Sequence, residues 1–401
     1  MEHLKGFPTV GDLEVALANL PQGRDALGEA YDQAIDRIMS QSEACCQMAF
    51  KVLSWLAYCQ RALSVEEVQH ALGTRLGGSD LDRRFLPDVD VIDSVCAGLV
   101  VYDQHTELIR LVHYTAKEYL LAHHSLSTAE EDIARTCIAY LSFDALRDAP
   151  PSHPHDVEYQ QELYPLYGYA AEFWAVHASA PLEESDDFVA AIIGFLDNKS
   201  IVRSAAKTMN LRPLTNNDGE TNWLHTIAED WTKVHLAAHC GFTRVITEYA
   251  RQGLDLDTRD SKSRTPLIYA AASGQVGTTR VLLETGRVNP GAEEDRGFPS
   301  ILLEKGVNPN IRDNRGETAL FRAADGGHEE LISLLLQHRA DLFITNEAFE
   351  NALFPAVMKG HLPVINLLLA AGLNVDSQDI TGNTPLFFAA LGGSEASSHY
   401  C

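Results

Sequence analysis

The stretch TKVHLAAHCGF, from Thr232, has counterparts farther along the chain. They are RTPLIYAAASGQ around Thr265, ETALFRAADGGH around Thr318, NALFPAVMKGH from Asn351 and NTPLFFAALGG around Thr384, at intervals of 33, 53, 33 and 33 residues. A unit that recurs at a fixed period is one supersecondary element that buries its apolar face only against its neighbours, so this stretch must stack. Thr232, Thr265, Thr318, Asn351 and Thr384 each offer a side-chain oxygen to cap a helix N-terminus. Pro266 and Pro385 follow as first helical residues, where a missing N–H is harmless. Paired alanines (Ala237/Ala238, Ala270/Ala271, Ala323/Ala324, Ala389/Ala390) let helices approach closely. Gly241, Gly274, Gly327, Gly360 and Gly393 close the first helix. A second helix carries Val245/Ile246, Leu282/Leu283, Leu335/Leu336 and Leu368/Leu369. It ends at Gly253, Gly286 and Gly372, with Arg339 in the corresponding place of one repeat.

His235 and His239, one helical turn apart beside Cys240, have metal-ligand spacing. Repetition argues against a metal. The place of His235 is taken by Ile268, Phe321, Phe354 and Phe387, and that of His239 by Ala272, Asp325, Met358 and Leu391. These are packing positions. His328 and His361, each after a glycine, read the same way. The period and the T-P-L-H-x-A-A type of signature resemble the ankyrin repeat.

The 53-residue interval reads as two repeats short of 13 residues, with DRGFPS running directly into ILLEKGVNPNIRD. This makes one repeat incomplete near 287–310 and residues 287–305 the expected weak point. Upstream, NNDGETNWLHTIAEDWT is a degenerate start to the stack. At the other end, GGSEASSHYC follows a first helix where a second is due.

With 401 residues, more than one core is expected. The net charge of −25 disfavours phosphate backbones and anionic membrane surfaces. Seven cysteines, none in a C-x-x-C pair, fit a reducing compartment better than a disulfide framework. There is no apolar signal segment at the start and no run of membrane-spanning length. The expectation is a cytoplasmic protein.

SQSEACCQMAFKVLSWLAYCQ, residues 40–60, places Cys45, Met48, Ala49, Val52, Trp55, Leu56 and Cys59 at helical spacing. Ser64 with Glu67 is a capping box opening a helix to Leu72. DVDVIDSVCAGL gives another short helix, ending at Gly98. LVVYD and ELIRLVHY are strands joined by a turn from Asp103 to Thr106, and TAKEYLLAH closes the unit as a helix. Three helices followed by a β-wing is a winged-helix order. The third helix has Asp88, Asp90 and Asp93 and no Lys or Arg, and the wing offers only Arg110, so DNA binding is not expected. Two further helical stripes follow: Ile133, Cys137, Ile138 and Leu141, then Leu166, Ala170, Phe173 and His177. The proline-rich DAPPSHPHDVEY separates them.

LPQGRDALGEAYDQAIDRI, LSWLAYCQRALSVEEVQHAL and VIDSVCAGLVVYDQHTELIRLVHYTAKEYLLAH resemble the region after the NACHT nucleotide-binding domain of fungal STAND proteins, which are similar in layout to NOD-like receptors. The stripes 133–141 and 166–177 resemble the connector such proteins carry before ankyrin repeats. The resemblance implies signalling or non-self recognition. It also implies that His113, in LVHYTAKEYL, would touch a bound nucleotide if a NACHT domain were supplied. This chain has no G-x-x-x-x-G-K-[ST]. Here the expectation for His113 is a histidine packed between the wing and the next helix.

The expected fold is mainly α. A post-NACHT-like helical segment (1–62) precedes a winged-helix domain with a small β-wing (63–125). A helical connector (126–215), an ankyrin-repeat α-solenoid (216–393) and an irregular tail (394–401) follow. The expected function is a non-enzymatic protein–protein interaction module, with no cofactor and no metal. The rival is the C-terminal regulatory half of a split nucleotide-switch ATPase, meeting its NACHT domain in trans. G-x-S-x-G and H-E-x-x-H are absent. Expected partner contacts are loop tips, among them Arg259, Asp260, Lys262, Arg312, Asp313, Asn314, Glu347, Phe349, Glu350 and Asp379. The concave-face candidates are Tyr269, Arg322, Asp325, Met358 and Lys359. Tyr269, Arg322 and Phe349 are favoured because aromatic and Arg side chains dominate interfaces. Calorimetry on the isolated chain is expected to show no micromolar affinity for ATP. Saturable binding abolished by His113→Ala would refute that.

Overall fold

The computed structural model describes residues 24–122, 126–147, 162–199, 202, 214–215, 221–222, 231–285 and 307–391. The chain divides into two compact units. One comprises residues 1–143 with 158–167, the other 144–157 with 168–401.

In the first unit, α1 (Arg24–Met39) and α2 (Glu43–Tyr58) precede β1 (Leu63–Ser64) and α3 (Val65–Gly73). Then come a 3₁₀ turn (Arg83–Phe85), α4 (Val89–Val95), β2 (Val100–Asp103), β3 (Leu108–Leu111), α5 (Tyr114–Leu121) and α6 (Ala129–Leu141). The strands pair antiparallel in the order β1-β3-β2, with Leu63 and Tyr102 both opposite Ile109. This is a winged helix. Ala49, Val52 and Leu53 of α2 are fully buried and form its core. The capping box is present: Ser64 Oγ accepts the Glu67 N–H at 3.1 Å, and Glu67 Oε2 accepts the Ser64 N–H at 2.8 Å. Glu67 is buried and also takes a two-pronged hydrogen bond from Arg61, at 3.0 and 2.5 Å.

The span 63–125 is only the middle of this unit. α2 supplies the first core helix, and α6 is tied in by His70 Nδ1, 2.7 Å from the Tyr140 hydroxyl. The third helix stops at Val95, short of the expected Gly98, because Ala97 and Gly98 take positive φ of 50° and 86°. Asp88, Asp90 and Asp93 on α4 are exposed.

The second unit begins with α7 (Asp144–Arg147) and contains α8 (Tyr167–Glu184) from Gly168, α9 (Asp186–Leu196) and the short pair β4 (Leu214–Thr215) and β5 (Thr221–Asn222). The stack follows as α10 (Lys233–Cys240) with α11 (Thr243–Arg251), and α12 (Pro266–Ala272) with α13 (Val276–Glu284). After it come α14 (Ala319–Asp325) with α15 (Glu329–Gln337), α16 (Leu353–Met358) with α17 (Leu362–Ala370), and α18 (Pro385–Leu391). No helix of the described residues is long and apolar enough to cross a membrane.

α8 and α9 act as the cap of this stack. Trp174, fully buried, meets Phe195 at 5.0 Å and Phe242 at 5.5 Å between ring centroids. Arg244 Nη1 donates to the Leu182 carbonyl at 2.9 Å, its Nη2 pairs with Asp186, and Lys233 Nζ lies 2.5 Å from Asp197 Oδ1. The break expected at 215/216 is therefore not a break in packing. Connector and stack share one core.

The alanine pairs 237/238, 270/271 and 323/324 are fully buried where successive first helices meet. The repeats also join through their tips. Asn314 N–H donates to the Lys262 carbonyl at 2.9 Å, Glu347 N–H to Arg315 at 2.9 Å, and Ile380 N–H to Ala348 at 2.8 Å. Arg339 takes φ 64°, where Gly253 and Gly372 take 77° and 110°. The backbone demands a left-handed residue there whatever the side chain.

Helices on the two sides of the 53-residue interval meet in the described residues. The short unit expected there has an opening turn and the end of a second helix but no first helix, so the first helices on either side of it would meet directly. α14 packs on α12 and α15 on α13. The Asn314–Lys262 bond is of the same kind as those across the 33-residue intervals. The interval exceeds the 33-residue period by 20 residues. The incomplete unit near 287–310, up to residue 306, and the expected weak point 287–305 lie outside the described residues, as does the tail 394–401. Deleting residues 287–306 joins Gly286 to Val307 and restores a 33-residue interval. The prediction is a variant that melts cooperatively with Tm unchanged or raised, since a shorter connection between packed helices costs less to close, by roughly 1 kcal/mol. Loss of the cooperative transition in a circular-dichroism melt would overturn the assignment.

Candidate interaction surface

Each tip turn of the stack is organised by one side chain. Asp260 Oδ1 accepts the backbone N–H groups of Lys262 and Arg264, both at 2.8 Å. Asp313 does the same for Arg315 and Glu317 at 2.9 Å, Asn346 for Ala348 and Glu350 at 2.9 Å, and Asp379 for Thr381 and Asn383 at 2.8 Å. A short acceptor at this point satisfies donors the turn would otherwise strand. Asp260 and Asp313 are buried. Asp260, Asp313 and Asp379 are thus turn formers, not tip contacts. Their recurrence at the repeat period was the signal for this.

Tyr269 is corrected too. It is 6% exposed, its hydroxyl donates to Asp260 Oδ2 at 2.5 Å, and its ring packs edge-on to Trp231 at 4.5 Å. Arg322, in the equivalent place one repeat on, is half-buried, paired with Glu317 and 3.7 Å from Asp313. Burial raises the Glu317 carboxyl above the usual range, against the opposing pull of Arg322. Phe349 is exposed, at 56%, and holds φ 62° where Gly316 and Gly382 take 78° and 82°. Arg259 and Met358 are exposed, and Lys359 pairs with Asp325 at 2.8 Å.

A pocket of about 340 Å³ lies in the stack. Its walls are Trp231, His239, Lys262, Arg264, Ile268, Tyr269, Ala272, Ser273, Asp313, Asn314, Arg315 and Arg322. It gathers five of the anticipated contact residues: Lys262, Tyr269, Asp313, Asn314 and Arg322. Phe349, Arg259, Asp325, Met358 and Lys359 lie outside its lining. Trp231, Arg264 and Arg315 were missed, although Arg315 occupies the position of Lys262 one repeat later, so the pair of cations was visible in the alignment of repeats.

His235 is fully buried. Its Nδ1 accepts the Thr232 N–H at 3.2 Å, so Nε2 carries the proton and donates to the Arg264 carbonyl at 3.1 Å. Both ring nitrogens serve the fold and neither is left for a metal. No group of three or more His, Cys, Asp or Glu among the described residues could hold one. His328 and His361 have Nε2 facing the carbonyls of Ala272 at 3.4 Å and Asp325 at 3.1 Å, at the end of the first helix of the preceding repeat. His113 is exposed rather than packed between wing and helix. Its Nδ1 accepts the Thr115 N–H at 3.3 Å and caps α5.

Residues 36–135 match the family described as the winged-helix domain of GPI inositol-deacylase, and residues 296–379 match ankyrin repeats in three copies. The chain carries a winged-helix domain and ankyrin repeats. Among curated relatives, it is 31% identical over 90 residues to the 26S proteasome non-ATPase regulatory subunit 10 of Dictyostelium discoideum, covering 22% of this chain and 31% of that protein. It is 34% identical over 116 residues to ankyrin repeat domain-containing protein 63 of Mus musculus, covering 29% and 24%. It is 29% identical over 206 residues to a transient receptor potential cation channel subfamily A member 1 homologue of Caenorhabditis elegans, covering 51% and 15%. The matches span less than a third of the length of each of these relatives.

Burial lowers the His239 pKa from 6.5 to about 4. Its Nδ1 lies 2.7 Å from Ser273 Oγ. Between those pH values the unfolded chain takes up a proton that the folded chain refuses. The stability is whole above pH 6.5 and is lost as pH falls towards 4. His70 and His177 behave alike, each lowered to about 4 by burial. Thermal melts across this range should show Tm falling with pH, and His239→Leu should flatten the slope. The effect is at most about 1.4 kcal/mol per pH unit. An unchanged slope in the variant would refute the assignment.

Proposed function

We propose that this chain is a non-enzymatic protein-interaction module, related to NACHT–ankyrin receptors and acting in the cytoplasm. The observation that carries this reading is the division of labour inside the stack. Alanines, leucines, the buried histidine and the turn-forming acids are consumed by packing, and what varies between repeats is left to solvent. Phe349 supports it further. An exposed aromatic residue in a left-handed conformation costs on the order of 1 kcal/mol or more and adds nothing to the core. The contact set therefore shifts to Phe349, Met358, Lys359, Arg259 and the pocket rim. The relatives named as ankyrin repeat proteins favour the same class. DNA is disfavoured by the exposed Asp88, Asp90 and Asp93 on the third helix of the winged helix.

The second reading is a regulatory half of a nucleotide-switch ATPase that meets a NACHT domain in trans. The winged-helix match at 36–135 favours it. Its signature would be slower ADP release from a separately produced NACHT domain when this chain is added.

The test uses the full chain as bait in cell extract beside the variant Phe349→Ala/Met358→Ala/Lys359→Ala. The expected result is a defined set of proteins captured by the parent and reduced about tenfold or more by the variant, with the melt unchanged. Undiminished capture by the variant refutes the surface, and no capture by either refutes the module.

A further inference from the structure

The pocket between the first three repeats is positively charged in a chain whose net charge is −25. Four cations line it: Lys262, Arg264, Arg315 and Arg322. Three carboxylates stand beside them, and each is already committed. Asp260 receives two backbone N–H groups and the Tyr269 hydroxyl, and lies 3.8 Å from Arg264. Asp313 receives two N–H groups, and Glu317 pairs with Arg322. Positive charge is left over at the rim. Arg315 is exposed and makes no ion pair with a described residue. The ammonium of Lys262 is held below the usual lysine range by burial first and then by Arg264, with Arg315 and Arg322 adding to the effect. An anion docked there would relieve that repulsion.

The inner wall is of the opposite character. Trp231 and Tyr269 meet edge to face, His239 lies 5.4 Å from Trp231, and Ile268 and Ala272 complete an apolar surface. His239 stays neutral at physiological pH and adds no charge. A volume of about 340 Å³ sits at the low end of ligand pockets, roughly 300–1,000 Å³, which suits one bulky side chain rather than a cofactor.

We infer that this pocket receives an acidic peptide segment, taking one aromatic side chain against the wall at Trp231 and Ala272 and the flanking carboxylates on Lys262 and Arg315. The inference rests on the interaction-module reading and gives its partner a chemistry. Ion pairs at such a rim act mainly on encounter rate and selectivity, so binding should weaken with salt.

Three fluorescein-labelled peptides test it by anisotropy with the full chain: Asp-Glu-Phe-Glu-Asp, Asp-Glu-Gly-Glu-Asp and Lys-Lys-Phe-Lys-Lys. The phenylalanine acidic peptide should saturate at low salt, and the glycine peptide should bind at least about fivefold more weakly. The basic peptide should not bind. Arg315→Glu should cost the acidic peptide about tenfold, since it turns an attraction into a repulsion. Ala272→Phe, at an exposed position on the pocket wall, should block it, and Phe343→Ala, exposed and outside the lining, should leave it unchanged. If Ala272→Phe fails to fold, the charge reversal alone decides. No saturation by the acidic phenylalanine peptide, equal binding of the glycine or basic peptide, or undiminished binding by Arg315→Glu overturns the proposal. If the peptide fails while the Phe349-dependent capture from extract persists, the pocket assignment falls and the module reading stands. If that capture is also absent, both fall.

Discussion

The first helices of the stack run only six to eight residues, from Leu353–Met358 to Lys233–Cys240. Helices that short do not persist in water on their own. Everything in the second unit follows from the need to hold them by contact with their neighbours. Paired alanines bring the backbones together, and Gln275, His328 and His361 each reach a carbonyl at the end of the preceding first helix. The tips, freed of any role in burying apolar surface, are fixed instead by a single carboxylate or amide per turn. The interaction surface is what remains after those demands are met, and for that reason its composition differs from repeat to repeat.

Much of this was legible from spacing. The series His235, Ile268, Phe321, Phe354 and Phe387 pointed to a packing position, and the buried His235, engaged at both nitrogens, agrees with it. The Ser64–Glu67 capping box and the β-wing were also readable, because each is a local pattern with one physical solution. Other features depended on three-dimensional neighbours that no window of sequence contains. Tyr269 looked like an exposed aromatic, but Trp231, 38 residues earlier, covers its ring. Asp313 looked like a charged tip, but its carboxylate faces its own backbone. The 53-residue interval does not by itself say which helices meet across it; the packing of α14 on α12 does. Arg339 broke the glycine pattern without breaking the backbone, because the left-handed turn belongs to the helix end rather than to the residue.

The winged-helix unit follows the same economy in another form. Its capping glutamate, Glu67, serves two groups at once: the Ser64 N–H at the start of α3 and the Arg61 guanidinium. A buried charge is tolerable when every lone pair is used. The third helix, which would face a nucleic acid in a winged helix that reads DNA, presents aspartates to solvent. The fold has been kept while the surface that would engage phosphate has been given the wrong sign for it.

The α8–α9 hairpin gives the array a fixed origin. Trp174 and Phe242 fill the face on which a preceding repeat would have to stack, so units cannot be gained on that side without dismantling a core. Duplication or loss is confined to positions beyond α11. In a solenoid each unit adds a small rotation to the next. A repeat gained near this origin would re-aim every later tip, whereas one gained farther along would redirect only those that follow it. Binding residues close to the hairpin, such as those around Trp231, therefore keep their bearing through changes in repeat number that would swing Phe349 and Met358 to new directions.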